Sequence, residues 1–276
     1  MKLALLADIH ANFEALQAVA DHIDSWKPDA VLLAGDVINR GPSPRQCMEF
    51  VLERAHNKGW QVIKGNHEDY VLDWLKPDAQ HEPLHVDLHQ ISYWTWDKLN
   101  RDVSGFAGWP DQISVTAPDG SETRVVHASV RNNRDSIWPT TTNSDLRLKI
   151  GAKPPATLLV GHTHIPLIRS IDGTLIVNCG SVGLPFDRDT RACYSQLIWQ
   201  DSAWYCRIVR LDYDRSKTEQ EYSRSGYSSL PMANLTLREL REGRSQLFEW
   251  TESYQNAIKA GEMTVEESVR LQLLRA

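Results

Sequence analysis

Lys2-Leu3-Ala4-Leu5-Leu6-Ala7-Asp8-Ile9-His10 opens the chain with an apolar run that stops at a carboxylate and an imidazole. The run is five residues long before Asp8, shorter than the ~7–15 apolar residues of an export signal. Residues 2–7 therefore read as a strand buried on both faces. Asp8 and His10 are two apart, and in a strand-like backbone both side chains point the same way. Outward from this strand, Phe13, Leu16, Val19, Ala20 and Ile23 recur at helical spacing over 12–25. Val31-Leu32-Leu33-Ala34 is a second apolar run, Ser43-Pro44 starts a helix with Cys47, Phe50 and Val51 on one face, and Trp60–Ile63 is a third strand. Strand–helix–strand–helix–strand predicts parallel pairing through right-handed crossovers.

The same punctuation recurs along the chain. Gly35-Asp36, Gly65-Asn66-His67-Glu68 and Gly161-His162-Thr163-His164 each end or follow an apolar run, and His127 follows Thr123–Val126. Asp8, His10, Asp36, Asn66, His127, His162 and His164 are thereby delivered to one sheet edge. Carboxylate, amide oxygen and imidazole are the donors that divalent cations take. If the first two strands are neighbours, Asp36 lies about 5 Å from Asp8, a spacing that suits a carboxylate bridging two metals ~3.5–4 Å apart. The cysteines at 47, 179, 193 and 206 form no C-x-x-C pair, which leaves a thiolate zinc site without support and reads them as small buried hydrophobes.

Residues 66–76 and 88–100 read as helical, and the histidines between 81 and 89 as loop and helix start, with no geometry for a second metal site. From residue 112 the pattern turns to strands: 113–116 and 123–126 flank Pro118-Asp119-Gly120, 158–160 is a buried run, 167–171 and 174–177 join at Asp172-Gly173, and 192–199 pairs with 203–211. This half predicts a mixed or antiparallel sheet packed on the first. Residues 214–229 read as a helix and a Ser/Gly-rich linker, then 236–259 and 264–275 as helices. Leu237, Leu240, Leu247, Trp250, Tyr254 and Ile258 are their candidate core contacts. The expected organisation is a catalytic domain over 1–213 and a helical extension over 214–276, which either packs on that domain or joins copies into a homo-oligomer.

The 276 residues are 41% hydrophobic and 24% charged, as in an ordinary globular protein, and the formal charge is −6. An acidic balance argues against stable nucleic-acid binding. No apolar stretch approaches the ~20 residues of a membrane span. With no export signal read, the expected compartment is the cytoplasm.

Asp-x-His, Gly-Asp, Gly-Asn-His-Glu, a lone His and Gly-His-Thr-His follow in the order of the calcineurin-like metallophosphoesterase superfamily, which this chain resembles over residues 1–212. Val177-Asn178-Cys179-Gly180-Ser181-Val182-Gly183 and Val126-His127-Ala128-Ser129 are similar to segments of its small prokaryotic phosphodiesterase group, with Cys179 in a proline's place and Ala128 in a glycine's. The resemblance implies an α/β fold: a four-layer α/β/β/α sandwich of two mixed sheets flanked by helices. It implies one metal on Asp8, His10, Asp36 and His164, another on Asp36, Asn66, His127 and His162, and a bridging hydroxide as nucleophile. The nitrogen and oxygen donors suit manganese, iron, zinc, cobalt or nickel. His67 takes the general-acid position. Asn39-Arg40-Gly41 resembles the Asp-Arg-Gly of the phosphoprotein phosphatase branch, with Asn39 in place of an aspartate that orients the catalytic histidine. Arg40 either clamps a phosphate or forms a surface ion pair, and Arg131 and Arg134 either reach a substrate or sit in a solvated loop.

The expected function is dinuclear-metal hydrolysis of small phosphodiesters or phosphomonoesters. Alternatives are a serine/threonine protein phosphatase-like activity, dinucleoside polyphosphate hydrolysis and, from a different class, a non-catalytic scaffold on the same fold. Retention of His67 and all seven ligand positions disfavours the scaffold.

Overall fold

The computed structural model describes residues 1–275 and contains ten strands. β1 (Lys2–Leu6), β2 (Ala30–Leu33) and β3 (Gln61–Val62) pair in parallel, as the strand–helix alternation predicts. Helices Phe13–Trp26 and Pro44–Lys58 make the crossovers. β4 (Gln112–Thr116), β5 (Glu122–Val126), β6 (Thr157–Val160), β7 (Leu167–Ile171) and β8 (Thr174–Asn178) form a second mixed sheet in the order 4-5-6-8-7. The last hairpin, β9 (Ala192–Gln200) and β10 (Ala203–Leu211), returns to the first sheet, whose order is 10-9-1-2-3. This differs from the expectation that the second half builds its own sheet. β1 carries an apolar residue on each face and has an open edge for β9 to pair with, antiparallel from Lys2↔Ile198 to Leu5↔Ser195.

The period-2 alternation of a strand sorts β1 between two cores. Leu3 and Leu5 meet Val125, Leu159 and Val177 between the sheets, whereas Ala4 and Leu6 pack outward with Leu16, Val19 and Val51. Behind the second sheet, Leu158, Val160 and Ile176 are covered by Leu146 and Ile150 of helix Asn143–Ile150. The result is four layers, helices outside two packed five-stranded sheets. That last helix went unread in the sequence, although Thr142 accepts from Asp145 N at 3.2 Å as an N-cap.

The C-terminal segments depart from their reading in two places. Residues 236–259 are not one helix: Ala233–Glu242 stops at Gly243, whose φ is +62°, and Leu247–Lys259 begins afterwards. The supposed linker is packed, with Tyr227 fully buried against Trp94, ring centroids 4.7 Å apart. Leu240, Trp250, Tyr254 and Ile258 form a core with Leu88, Ile91 and Leu184, so residues 214–275 lie against the rest of the chain. Among the described residues no helix is long and apolar enough to cross a membrane.

Candidate metal centre

The carboxyl ends of β1, β2, β6 and the segment after β3 all open at one edge, and the site is built there. The chain leaves these strands by left-handed turns. Asp8, His10, Asp36, Asn39, Arg40, His162 and His164 all have positive φ, between 49° and 71°. The reading of Asp8 and His10 as strand neighbours is thus corrected: both are left-handed, and they still converge, with His10 Nε2 3.9 Å from Asp8 Oδ1. Such backbone costs of order 1–3 kcal/mol per non-glycine residue and survives where the surroundings over-determine it.

Two glycines let the loops close. A Cβ on Gly35, itself at φ +87°, would lie 2.4 Å from Gly65 N, and one on Gly161 would lie 2.7 Å from Asp8 Oδ2. Glu68 then fastens the loops together. Its fully buried carboxylate accepts from the N–H groups of Asp36 and Gly65 through Oε2 and of Val37 and Ile38 through Oε1. Burial and the Asp36 charge push this carboxyl up to about 7 against those four donors. Sequence reasoning quoted Glu68 without giving it a task; its place three residues after Gly65, as in a capping box, was the available signal. Ser181 and Asn178 act similarly: Ser181 Oγ donates to Asp8 O at 2.7 Å and Asn178 Nδ2 to Gly161 O at 2.6 Å.

All seven expected ligand positions come together. Asp8, His10 and His164 form one group of donor atoms, Asp36, His127 and His162 a second, and His10, Asp36 and His67 a third. Asn66 Oδ1 lies 3.0 Å from His127 Nε2 and 2.9 Å from His162 Nδ1. Asp36 Oδ2 stands between the groups, 3.7 Å from His10 Nε2 and 3.3 Å from His127 Nε2, while Oδ1 accepts from His67 N. Among the described residues no such cluster includes His81, His85 or His89.

The donor set fits cations. His10 Nδ1 faces Asn39 O at 3.3 Å and His164 Nδ1 faces Leu184 O at 2.5 Å, so each Nδ1 carries the hydrogen. Their Nε2 atoms then present lone pairs to each other at 3.0 Å. Burial holds both rings well below the ordinary histidine pKa, hence neutral. Asp8 Oδ1 is buried with no hydrogen-bond partner. In the second group His127 Nδ1 donates to Ala34 O at 2.6 Å, which turns Nε2 toward two oxygens, Asn66 Oδ1 and Asp36 Oδ2. Burial disfavours charge on His127, but Asp36 outweighs it and lifts the ring to about 10. Burial would raise Asp36, yet His127, His67 and His10 hold it well below the carboxylate range. Acceptors facing acceptors in a buried space need positive charge between them, supplied by a proton or a metal ion.

His67 is the more open ring, 14% exposed against 1% for His10. Asn39 Oδ1 accepts from Arg40 N at 3.0 Å and Thr95 Oγ1 at 3.2 Å, so its amide nitrogen must donate to His67 Nδ1, 2.9 Å away. That leaves the hydrogen of His67 on Nε2, which points into the site 4.0 Å from Asp36 Oδ2. Burial carries this ring down to about 3, with Asp36 pulling upward and Arg40 downward. Asn39, standing where a carboxylate would, adds no charge to oppose this, and burial is the leading cause.

Arg40 forms an ion pair, but a buried one and not at the surface. Its Nη2 lies 2.7 Å from both oxygens of Glu239, in the C-terminal extension. The pair is buried: the Arg40 side chain is 11% exposed and that of Glu239 not at all. Glu239 also accepts from Gln246 N at 2.7 Å and Leu247 N at 2.9 Å, capping the helix that follows Gly243. The guanidinium lies 5.3 Å from the Phe186 ring, which stacks on His164 at 4.3 Å. Nothing in 1–213 alone announces this pair, because its partner lies about 200 residues away. Arg131 approaches Asp135 at 3.5 Å, and Arg134 lies 5.0 Å from the Tyr70 ring.

Two cavities flank the centre. One, of about 480 Å³, is polar and runs from His127 past Ser129, Asn132 and Asn133. The other, of about 290 Å³, runs from His67 and Arg40 to the C-terminal helices.

The sequence profile of the calcineurin-like phosphoesterase superfamily domain matches residues 1–198. An uncharacterized protein of Methanocaldococcus jannaschii is 24% identical over 236 residues, 79% of this chain and 90% of its own. The crystal structure of a metallophosphoesterase from Sphaerobacter thermophilus is 26% identical with a TM-score of 0.66, covering 88% of this chain and 100% of that one. A symmetrical bis(5'-nucleosyl)-tetraphosphatase of Neisseria gonorrhoeae is 32% identical over 68 residues, 24% of each chain. With two mixed sheets, a carboxylate–imidazole cluster at their edge and a profile match over most of its length, the chain belongs to the calcineurin-like phosphoesterase superfamily.

Proposed function

We propose that the protein hydrolyses small phosphodiesters or phosphomonoesters at a two-metal centre. The observation that carries this is the convergence of buried donor atoms in two groups on either side of Asp36, with the acceptors His10 Nε2 and His164 Nε2 facing each other at 3.0 Å in one and His127 Nε2 3.0 Å from Asn66 Oδ1 in the other. Asp8, His10, Asp36 and His164 would hold one divalent transition-metal ion, and Asp36, Asn66, His127 and His162 the other. Such ions activate the attacking water and neutralise phosphoryl charge.

The chain's own groups do the rest. Asn39 fixes His67 with its hydrogen on Nε2, and Nε2–H meets the leaving oxygen. As the phosphorus–oxygen bond breaks and the water oxygen bonds to phosphorus, this donor stabilises the departing oxygen; the proton released by the water completes the alcohol. A neutral donor favours leaving oxygens that need little protonation, such as phenolates. Residues 1–213 form the catalytic domain in this reading and 214–276 its extension.

His67→Ala should lower turnover of bis(4-nitrophenyl) phosphate at least about tenfold with bound metal unchanged. Equal turnover removes His67 from the mechanism, and a purified protein that takes up no divalent ion removes the two-metal reading. Dinucleoside polyphosphate hydrolysis is the second reading, supported by the short match to the Neisseria enzyme.

A further inference from the structure

The cavity beside His67 is lined on its far side by residues outside the profile match. Met232, Leu247 and Trp250 of the extension face Leu88 and Ile91 across it, and His67 and Arg40 form its inner end. Of the groups that turn toward the metal centre, His67 is also the one whose free N–H serves a departing oxygen. We propose that this cavity is the leaving-group subsite and that it takes an uncharged alcohol or phenol carrying one ring system, so that residues 214–276 select the substrate. The inference rests on the hydrolase reading above for the direction of bond cleavage.

Size, charge and polarity support it. About 290 Å³ sits at the small end of ligand pockets, room for a ring and its substituents. The apolar side chains favour a ring face. The lining holds no lysine, and its one guanidinium, Arg40, is already gripped by Glu239. His89, also at the wall, is held below its ordinary pKa by burial and by His85, and so adds no charge at neutral pH. The charge of Arg40 is offset by Glu239, and Lys259 acts on His89 from outside the lining, so a leaving group that still carried a phosphate chain, as in polyphosphate cleavage, would meet no uncompensated cation in the cavity wall itself. Gln255, at the mouth, has no side-chain hydrogen-bond partner among the described residues and can meet a polar ring substituent.

The test compares binding of phenylphosphonate and methylphosphonate to the metal-loaded protein by calorimetry. The wild type should hold the phenyl compound at least about tenfold more tightly, roughly 1.4 kcal/mol. Thr251 is exposed on the helix at the cavity mouth, with Gln255 one turn on. Thr251→Trp fills the mouth and should bring the ratio to within about threefold, and Gln255→Trp should do the same. A ratio that neither variant changes overturns the subsite even if esters are hydrolysed. A ratio that collapses as expected, in a protein that hydrolyses neither phenyl nor methyl esters, upholds the subsite and overturns the hydrolase reading instead.

Discussion

Glu239→Gln keeps the shape of a fully buried side chain and removes its charge, which leaves Arg40 without a counter-ion in a site where only 11% of its side chain reaches water. The amide oxygen can still accept from Gln246 N, Leu247 N and Arg40 Nη2, but the NH₂ group in place of Oε2 then meets Arg40 Nη2 donor against donor. Removing one partner of a buried ion pair costs about 3–5 kcal/mol. With an unfolding entropy of about 2.1 cal/mol/K per residue, a chain of 276 residues has roughly 0.58 kcal/mol/K, so the midpoint should fall by about 5–9 °C. Arg40→Met alone should also destabilise, by stranding the carboxylate. The double variant, with neither charge, should be more stable than the two single losses predict, by a coupling of up to about 3 kcal/mol. Urea titration followed by tryptophan fluorescence measures all four corners. A Glu239→Gln loss below about 1 kcal/mol, or a cycle additive within about 0.5 kcal/mol, refutes the view that this pair fastens the extension to the site.

Asn39→Asp should place a carboxylate against His67 Nδ1 and raise the ring from its depressed pKa toward the charged form. In the metal-loaded enzyme, turnover of an alkyl ester relative to a nitrophenyl ester should rise, with a basic limb appearing in the pH profile of kcat; an unchanged ratio counts against the neutral-donor role. Glu68→Gln leaves two of four backbone donors facing an NH₂ group and should cost about 1–3 kcal/mol for each donor left unsatisfied; denaturant unfolding without metal reads it. Because His127 holds a proton against Asp36 up to about pH 10, metal entry at that group should displace it. Calorimetric titration at pH 8 in buffers of different ionisation enthalpy should show about one proton released per His127-side metal, and affinity should weaken as pH falls.

The parallel half of the fold was legible because period and punctuation agree: β1, β2 and their crossover helices have apolar spacing and end signals within a few residues of one another. The clustering of Asp8, His10, Asp36, Asn66, His127, His162 and His164 was legible for the same reason, each following a strand. What the chain does not display locally is harder to read. Membership of β9 and β10 in the first sheet depends on which open edge they meet, and neither strand's pattern encodes that. Gly243 marks a break in 236–259 that helical spacing on both sides concealed. The tasks of Glu239 and Glu68 depend on donors brought in by other segments. Asp8 and His10 were joined for a wrong geometric reason, since a left-handed turn and a strand can aim two side chains at the same point.

β1 lies in the middle of its sheet, yet one of its two neighbours is made almost last. Lys2 must wait for Ile198, and Leu5 for Ser195. Until then the nascent chain presents an unpaired strand edge, apolar after Lys2, of the kind that invites intermolecular pairing. A polypeptide ending before residue 192 would carry that liability permanently and should be recovered as aggregate, whereas one that includes the β9–β10 hairpin closes it. Contacts this distant also slow folding, so the ribosome-bound chain is expected to need protection over most of its synthesis.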